Sequence, residues 1–258
     1  MSEELLIRDV MVKPLTISKS AAITEALDKM LDEGADPLIV TNNGGVMGTI
    51  SRKAIAETLG SRKSSVVAPA KIHVANKTDE DYTVAYPDQH ADILVPLLQE
   101  YRIVVVLDNE HRLVGQVGPI DLLRVMRPDT VAEHVMQTAF TIRSDERVVH
   151  LRRRMIDENI SKFIVMDDGE MQGIVTETDV AKAMKAFREI VEDKYQDHRI
   201  RNLLVKDIMT APAITVDVDE DITAITDLIV KKSISSLPVT NNGKLVGLLT
   251  KQALISAL

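Results

Sequence analysis

SLPVTNNGKLVGLLT (236–250) and KFIVMDDGEMQGIVTETDV (162–180) read in the same way. Each has a short apolar strand, an Asn-Gly or Asp-Gly turn, a second apolar strand carrying a glycine, and a Thr that opens a helix. Asn-Gly and Asp-Gly between two apolar runs are the strongest short-range hairpin signal, because both central residues of the favoured turn take positive φ. The same phrase appears as LIV-TNNGG-VMGTI (38–50) and, more loosely, as IVVVL-DNEH-RLVGQVG (103–118). Ahead of each hairpin lies a helical pattern. Ile23, Ala26, Leu27, Met30 and Leu31 share one face in the first copy, and Ile222, Ile225, Leu228 and Ile229 in the fourth. The third copy has its helix over 145–158. The second has it over 92–101, where Pro96 is predicted to bend or break it. A short strand precedes each helix, at Leu15 and Ile17, TVAYP (83–87), MQTAFTI (136–142), and Ile214 and Val216. A closing helix follows each hairpin, over 52–59 in the first copy and from Asp179 well past Phe187 in the third.

The chain is therefore an array of one strand-helix-strand-strand-helix unit. Met11 to Gly48, Met136 to Gly173 and Met209 to Gly247 are separations of 37, 37 and 38 residues, and Ala75 to Gly115 is a looser 40. A fixed period of this kind marks a repeat architecture. The repeats span 1–62, 63–128 (divergent), 129–190 and 191–258, the last including the polar linker EDKYQDHRIRN (192–202). A unit of about 55 residues buries too little surface to be comfortable alone, so repeats are expected to pair, with a boundary between pairs near Pro128. The fold class is α/β (α+β).

Composition bounds the rest. The 258 residues are 45% hydrophobic, enough for a real core, with a net charge of −8 and only 3% aromatic residues. That balance argues against a nucleic-acid binder, which needs a basic face and stacking rings. The absence of cysteine excludes disulfides, thiolate zinc sites and thiol catalysis. MSEELLIRDVM has acids where a signal peptide has bases, and no apolar run approaches the ~18 residues of a membrane span. A cytoplasmic protein is expected.

The DVM, HVM and DIM segments (9–11, 134–136, 207–209), together with the two strings quoted first, make the unit resemble the CBS domain, the module named for cystathionine beta-synthase. The resemblance covers nearly the whole chain. It implies four β-α-β-β-α repeats paired into two pseudo-two-fold Bateman modules, which could close a disk alone or pair as a homodimer. It also implies clefts that take adenosyl ligands such as AMP, ADP, ATP or S-adenosylmethionine.

The family's ligand signature is Gly-hydrophobic-x-Ser/Thr-x-x-Asp/Asn, and the copies differ in it. The third reads GIVTETD (173–179), complete with Thr176 and Asp179. The first, GTISRKA (48–54), and the fourth, GLLTKQA (247–253), keep the hydroxyl but end in Ala54 and Ala253. The second, GQVGPID (115–121), keeps Asp121 and has Gly118 in place of the hydroxyl. A carboxylate in the first helical turn can accept from both ribose hydroxyls, and free N–H groups at the helix start favour phosphate. Ser/Thr followed three residues later by an acid is also a capping-box pattern, which stabilises a helix start with no ligand. By position, the resemblance adds Ile160, Ser161 and Lys162 before the middle strand, Ile174 in the last strand, and Thr138, Thr141 and Ile142 in the first. A weaker second site would use Asp121, Gly118 and Arg102, the last matching a phosphate-reaching position in the AMP-activated kinase gamma subunit.

Other features read as structural. LRRRM (151–155) spreads its arginines around a helix, with one or two ion pairs between repeats, and HRIR (198–201) is a basic spot in the linker. DVDED (217–221) suits a helix cap better than a calcium loop, and the six histidines show no metal spacing. No catalytic constellation is present. The expectation is a non-enzymatic regulatory protein that binds an adenosine-containing ligand at the third repeat and signals to a partner protein. The alternative is a ligand-free assembly module for such a partner.

Overall fold

The computed structural model of the chain describes residues 5–60, 71–190 and 202–258. Linker residues 192–201, with HRIR (198–201), lie outside them. Four three-stranded sheets follow one another, in the orders β1-β2-β3, β4-β5-β6, β7-β8-β9 and β10-β11-β12. They comprise β1 (Thr16–Ser18), β2 (Leu38–Asn42) and β3 (Gly45–Ile50); β4 (Thr83–Ala85), β5 (Val104–Leu107) and β6 (Leu113–Val117); β7 (Thr141–Ile142), β8 (Lys162–Asp167) and β9 (Glu170–Thr176); and β10 (Val216–Asp217), β11 (Ser236–Asn241) and β12 (Lys244–Thr250). In each of the first three, the first strand runs parallel to the second, which is antiparallel to the third. The turns have the expected chemistry: Asn43 and Gly44, Asp168 and Gly169, and Asn242 and Gly243 all have positive φ.

The crossover helices bury the faces read from the sequence: Ile23, Ala26, Leu27 and Met30 in Ile23–Asp32, and Ile222, Ile225 and Ile229 in Ile222–Lys232. Asp221 caps the latter, its carboxylate accepting from the Thr223 N–H at 3.3 Å, so one of the DVDED acids serves the helix start. In the second repeat, a 3-10 turn (Ala91–Ile93) leads into an α-helix at Leu94–Glu100. Pro96 sits in its first turn, where an N–H would have no helical acceptor, and the helix runs on unbroken from Leu94. The third repeat's first strand is shorter than MQTAFTI, and its crossover helix is Val148–Asp157. Its closing helix, Glu177–Ile190, has 14 residues.

The periodic glycine has a tertiary cause. The segment leading into each repeat crosses the last strand of the repeat's partner. Thr49 and Asp79 exchange backbone hydrogen bonds at 2.8 Å, as do Val12 with Gln116, Ile174 with Thr210 and Gln137 with Leu248 at 2.8–3.0 Å. A Cβ on Gly173 would lie 2.5 Å from the Thr210 carbonyl oxygen, and one on Gly115 would lie 2.8 Å from the Met11 sulfur. Repeats 1 and 2 thus clasp each other reciprocally, and so do 3 and 4. Gly173→Ala is expected to lower stability by about 1–3 kcal/mol, because backbone rather than a flexible side-chain tip must move. Urea unfolding followed by circular dichroism reads this, and an unchanged midpoint would contradict the clasp.

Packing divides the chain into two units: Met1–Met136 with Asp219–Ser236 and Leu249–Leu258, and Gln137–Val218 with Leu237–Leu248. Most strand residues of the fourth repeat fall in the second unit, while its two helices fall in the first. There the helix Lys251–Ser256 packs on Leu94–Glu100 and Pro119–Leu123, and Gln252 Nε2 donates to the Leu98 carbonyl at 2.7 Å. In the first unit, Ile39, Ile103, Val105 and Leu107 form an apolar seam between the sheets of repeats 1 and 2. The core of the second contains Ile142, Val148, Leu151, Met155, Phe163, Val165, Val175, Val180 and Val205.

Candidate functional site

The complete signature lies where β9 passes into the helix Glu177–Ile190. Asp179 Oδ2 accepts from the Thr176 N–H at 2.8 Å and from the Thr176 hydroxyl at 2.7 Å, while Thr176 Oγ1 accepts from the Asp179 N–H at 3.4 Å. This is the capping box expected of Thr-x-x-Asp. Asp179 Oδ1 also accepts from the Thr210 hydroxyl at 3.3 Å, brought there by the crossing of the segment before the fourth repeat. Sequence reasoning missed Thr210. The signal available was its position directly after the DIM segment.

Strand alternation sorts the other residues. Lys162 stands opposite Thr176 and Ile164 opposite Ile174, and Thr141 is in register with Ile164. Registered partners share a face, so Thr141, Lys162, Ile174 and Thr176 line one side of the sheet. Ile142, Phe163, Val165 and Val175 line the other, which is the core side. Ile142 therefore serves the core, and Ile160 packs partly against the same cluster. The Ser161 carbonyl accepts from the Glu177 N–H at 3.0 Å, joining the start of the middle strand to the start of the closing helix. Thr138 is exposed on the segment before β7, and the Thr141 carbonyl accepts from Arg154 at 3.2 Å.

Two of the three arginines of LRRRM pair locally, Arg153 with Asp157 at 3.2 Å and Arg154 with Glu158 at 2.9 Å, both four residues apart. The ion pairs expected between repeats are replaced by these local ones, which need no tertiary alignment. Arg154 also lies 4.5 Å over the Phe163 ring.

At the second repeat, Gly118 N–H donates to Asp121 Oδ2 at 2.9 Å and Arg124 donates to Asp121 Oδ1 at 2.8 Å. Burial pushes the Asp121 carboxyl up, against the lowering effect of the Gly118 N–H, Arg124 and Lys251. Arg102 turns to Asp36, donating at 3.2 Å. Asp36 and Arg102 each lie four residues before the strand residue facing the periodic glycine, Val40 opposite Gly48 and Val106 opposite Gly115. Aligning the repeats would have exposed this opposition of charge. Among the described residues, no group of three His, Asp or Glu is placed to hold a metal ion, and no helix is long and apolar enough to cross a membrane.

The family model described as the CBS domain matches residues 7–61, 131–186 and 205–258, which correspond to the first, third and fourth repeats. An uncharacterised protein of Methanocaldococcus jannaschii is 22% identical over 269 residues, covering 96% of this chain and 61% of its own length. Inosine-5'-monophosphate dehydrogenase of Thermoplasma acidophilum is 30% identical over 183 residues, covering 65% of this chain and 34% of the enzyme. The chain thus spans less than two thirds of the length of these relatives. Among solved structures, a Methanocaldococcus jannaschii protein described as a candidate archaeal homologue of g-AMPK superposes with a TM-score of 0.82 at 19% identity, covering 97% of this chain and 99% of that one. A conserved protein of Pyrococcus horikoshii gives a TM-score of 0.65 at 22% identity, covering 97% and 98%.

Proposed function

Because the chain belongs to the CBS domain family, we propose that it is a non-enzymatic sensor that binds an adenosine-containing ligand at its third repeat and passes the signal to a partner protein. The observation that carries this reading is the cluster of Thr176, Asp179 and Thr210 at the start of a 14-residue helix. An ionised carboxylate offers about four acceptor sites, and three are occupied by the chain's own donors. The Thr210 hydroxyl is exposed and its contact is the longest of the three, so a ribose hydroxyl can displace it. Glu177, the first residue of the helix, puts a negative charge beside the N–H groups that would otherwise attract phosphate. Lys162 on the neighbouring strand offsets it. This balance suits a ligand of low net charge, such as adenosine, S-adenosylmethionine or a monophosphate, over a triphosphate. Binding would act by population shift, favouring one arrangement of the segments that Asp179 and Thr210 join.

Thermal unfolding with adenosine, AMP, ATP and S-adenosylmethionine tests the reading. A ligand at ~100 times its dissociation constant is expected to add about 2.7 kcal/mol. No shift with any of them would leave the second reading, an assembly module with unfilled clefts. That reading is favoured by Ala54 and Ala253, where two repeats lack the acid. A stoichiometric partner whose binding ignores every adenosyl compound would support it.

A further inference from the structure

The chain has 11 methionines and no cysteine or tryptophan, so an oxygen-transfer oxidant such as a hydroperoxide finds thioethers as its only sulfur. Met11, Met136 and Met209 hold one position in the repeat. Each stands immediately before a residue that exchanges backbone hydrogen bonds with the partner repeat: Val12 with Gln116, Gln137 with Leu248 and Thr210 with Ile174. The remaining crossing, Asp79 with Thr49, has Thr78 there instead. All three methionines are partly exposed, whereas Met30 and Met155 are buried. Repeats 3 and 4 thus carry a methionine at both of their crossings, and repeats 1 and 2 at one.

These side chains sit where added bulk or polarity is poorly accommodated. Met11 lies against Gly115, where a Cβ would be 2.8 Å from the sulfur and 3.2 Å from the methionine Cγ. Met209 packs on the apolar core of the second unit, and its N–H donates to the Val205 carbonyl at 2.9 Å. Sulfoxidation turns a flexible apolar side chain into a polar, chiral one, and an unpaired polar oxygen among apolar groups is costly. We propose that Met11, Met136 and Met209 are modification sites at which a hydroperoxide loosens the clasp between paired repeats. The sulfur lone pair attacks a peroxide oxygen and the O–O bond breaks. The departing hydroxide takes the proton of the transferred hydroxyl, so the sulfur is oxidised to the sulfoxide and hydrogen peroxide is reduced to water. The effect is independent of any adenosyl ligand at the third repeat.

The test is to treat the full chain with hydrogen peroxide, locate sulfoxides by peptide mass mapping, and follow backbone amide exchange and urea unfolding. Sulfoxide is expected at Met11, Met136 and Met209 before the buried Met30 and Met155. The Gln116, Ile174 and Leu248 N–H groups, which donate across the three crossings, should then exchange about tenfold faster or more, with the Thr49 N–H changing least. The urea midpoint should fall. Combining Met11→Leu, Met136→Leu and Met209→Leu nearly conserves volume and should abolish both changes. Reversal by methionine sulfoxide reductases in the unsubstituted chain reads the same effect without relying on the folding of that variant. Three results would each overturn the proposal: no sulfoxide at these positions while the partly exposed Met171 and Met184 react, oxidation that leaves the crossing amides protected, or a change that both survives the leucine substitutions and resists reductase.

Discussion

Phe163→Ala is expected to destabilise the second unit by about 3–5 kcal/mol, the range for truncating a fully buried phenylalanine. The ring is completely buried on the core side of β8, amid Ile142, Leu151, Met155, Val175 and Val205. Phe140 meets it edge to face, with centroids 6.5 Å apart at 62°, and the Arg154 guanidinium lies over its face. Such a loss is a large share of the roughly 5–15 kcal/mol that stabilises a typical domain. Because the chain has two units, its unfolding need not be a single transition, and the change should concentrate in one of them. Denaturant unfolding by circular dichroism is the measurement, with Phe140→Ala as the comparison, since Phe140 is 44% exposed and its loss should be much the smaller. Equal effects from the two would sink this account of the core.

Asp179→Ala is expected to act twice, and the two effects can be separated. Without ligand, the capping interactions with Thr176 disappear, costing roughly 1 kcal/mol as helix caps do. With a saturating adenosyl ligand, the further stabilisation of about 2.7 kcal/mol at a hundredfold excess should vanish as well. If the residue serves only the helix start, the variant will be less stable by the first amount and the ligand-induced increment will be unchanged. The comparison therefore distinguishes a capping carboxylate from a ribose acceptor, two roles that the same Thr-x-x-Asp spacing supports equally well.

The hairpins, crossover helices and fourfold order were legible in the sequence because they follow from local periodicity and turn chemistry. Asn-Gly and Asp-Gly can take the positive φ values that the turns show, and Ile23 to Met30 repeat at helical spacing. Alternation could also have separated Thr141 from Ile142, since neighbouring strand residues face opposite sides. The Met-to-Gly spacing was visible as a pattern, but its reason was not: Gly173 is small because Thr210, 37 residues on, crosses it. The meeting of Arg52 and Arg102 at Asp36 was illegible for the same reason, as was the placement of the fourth repeat's helices beside Leu94–Glu100 and Pro119–Leu123.

The sequence by itself determined the repeat unit, its number, and which copy keeps a hydroxyl and an acid together, because each is carried by residues only a few positions apart. Only the tertiary structure decided that repeats clasp through backbone crossing, that Thr210 joins Asp179, and that Arg52 and Arg102 meet Asp36. Those outcomes depend on segments separated by tens to hundreds of residues, whose meeting is set by how the sheets and helices bury their apolar faces, a property of packing that no local spacing records.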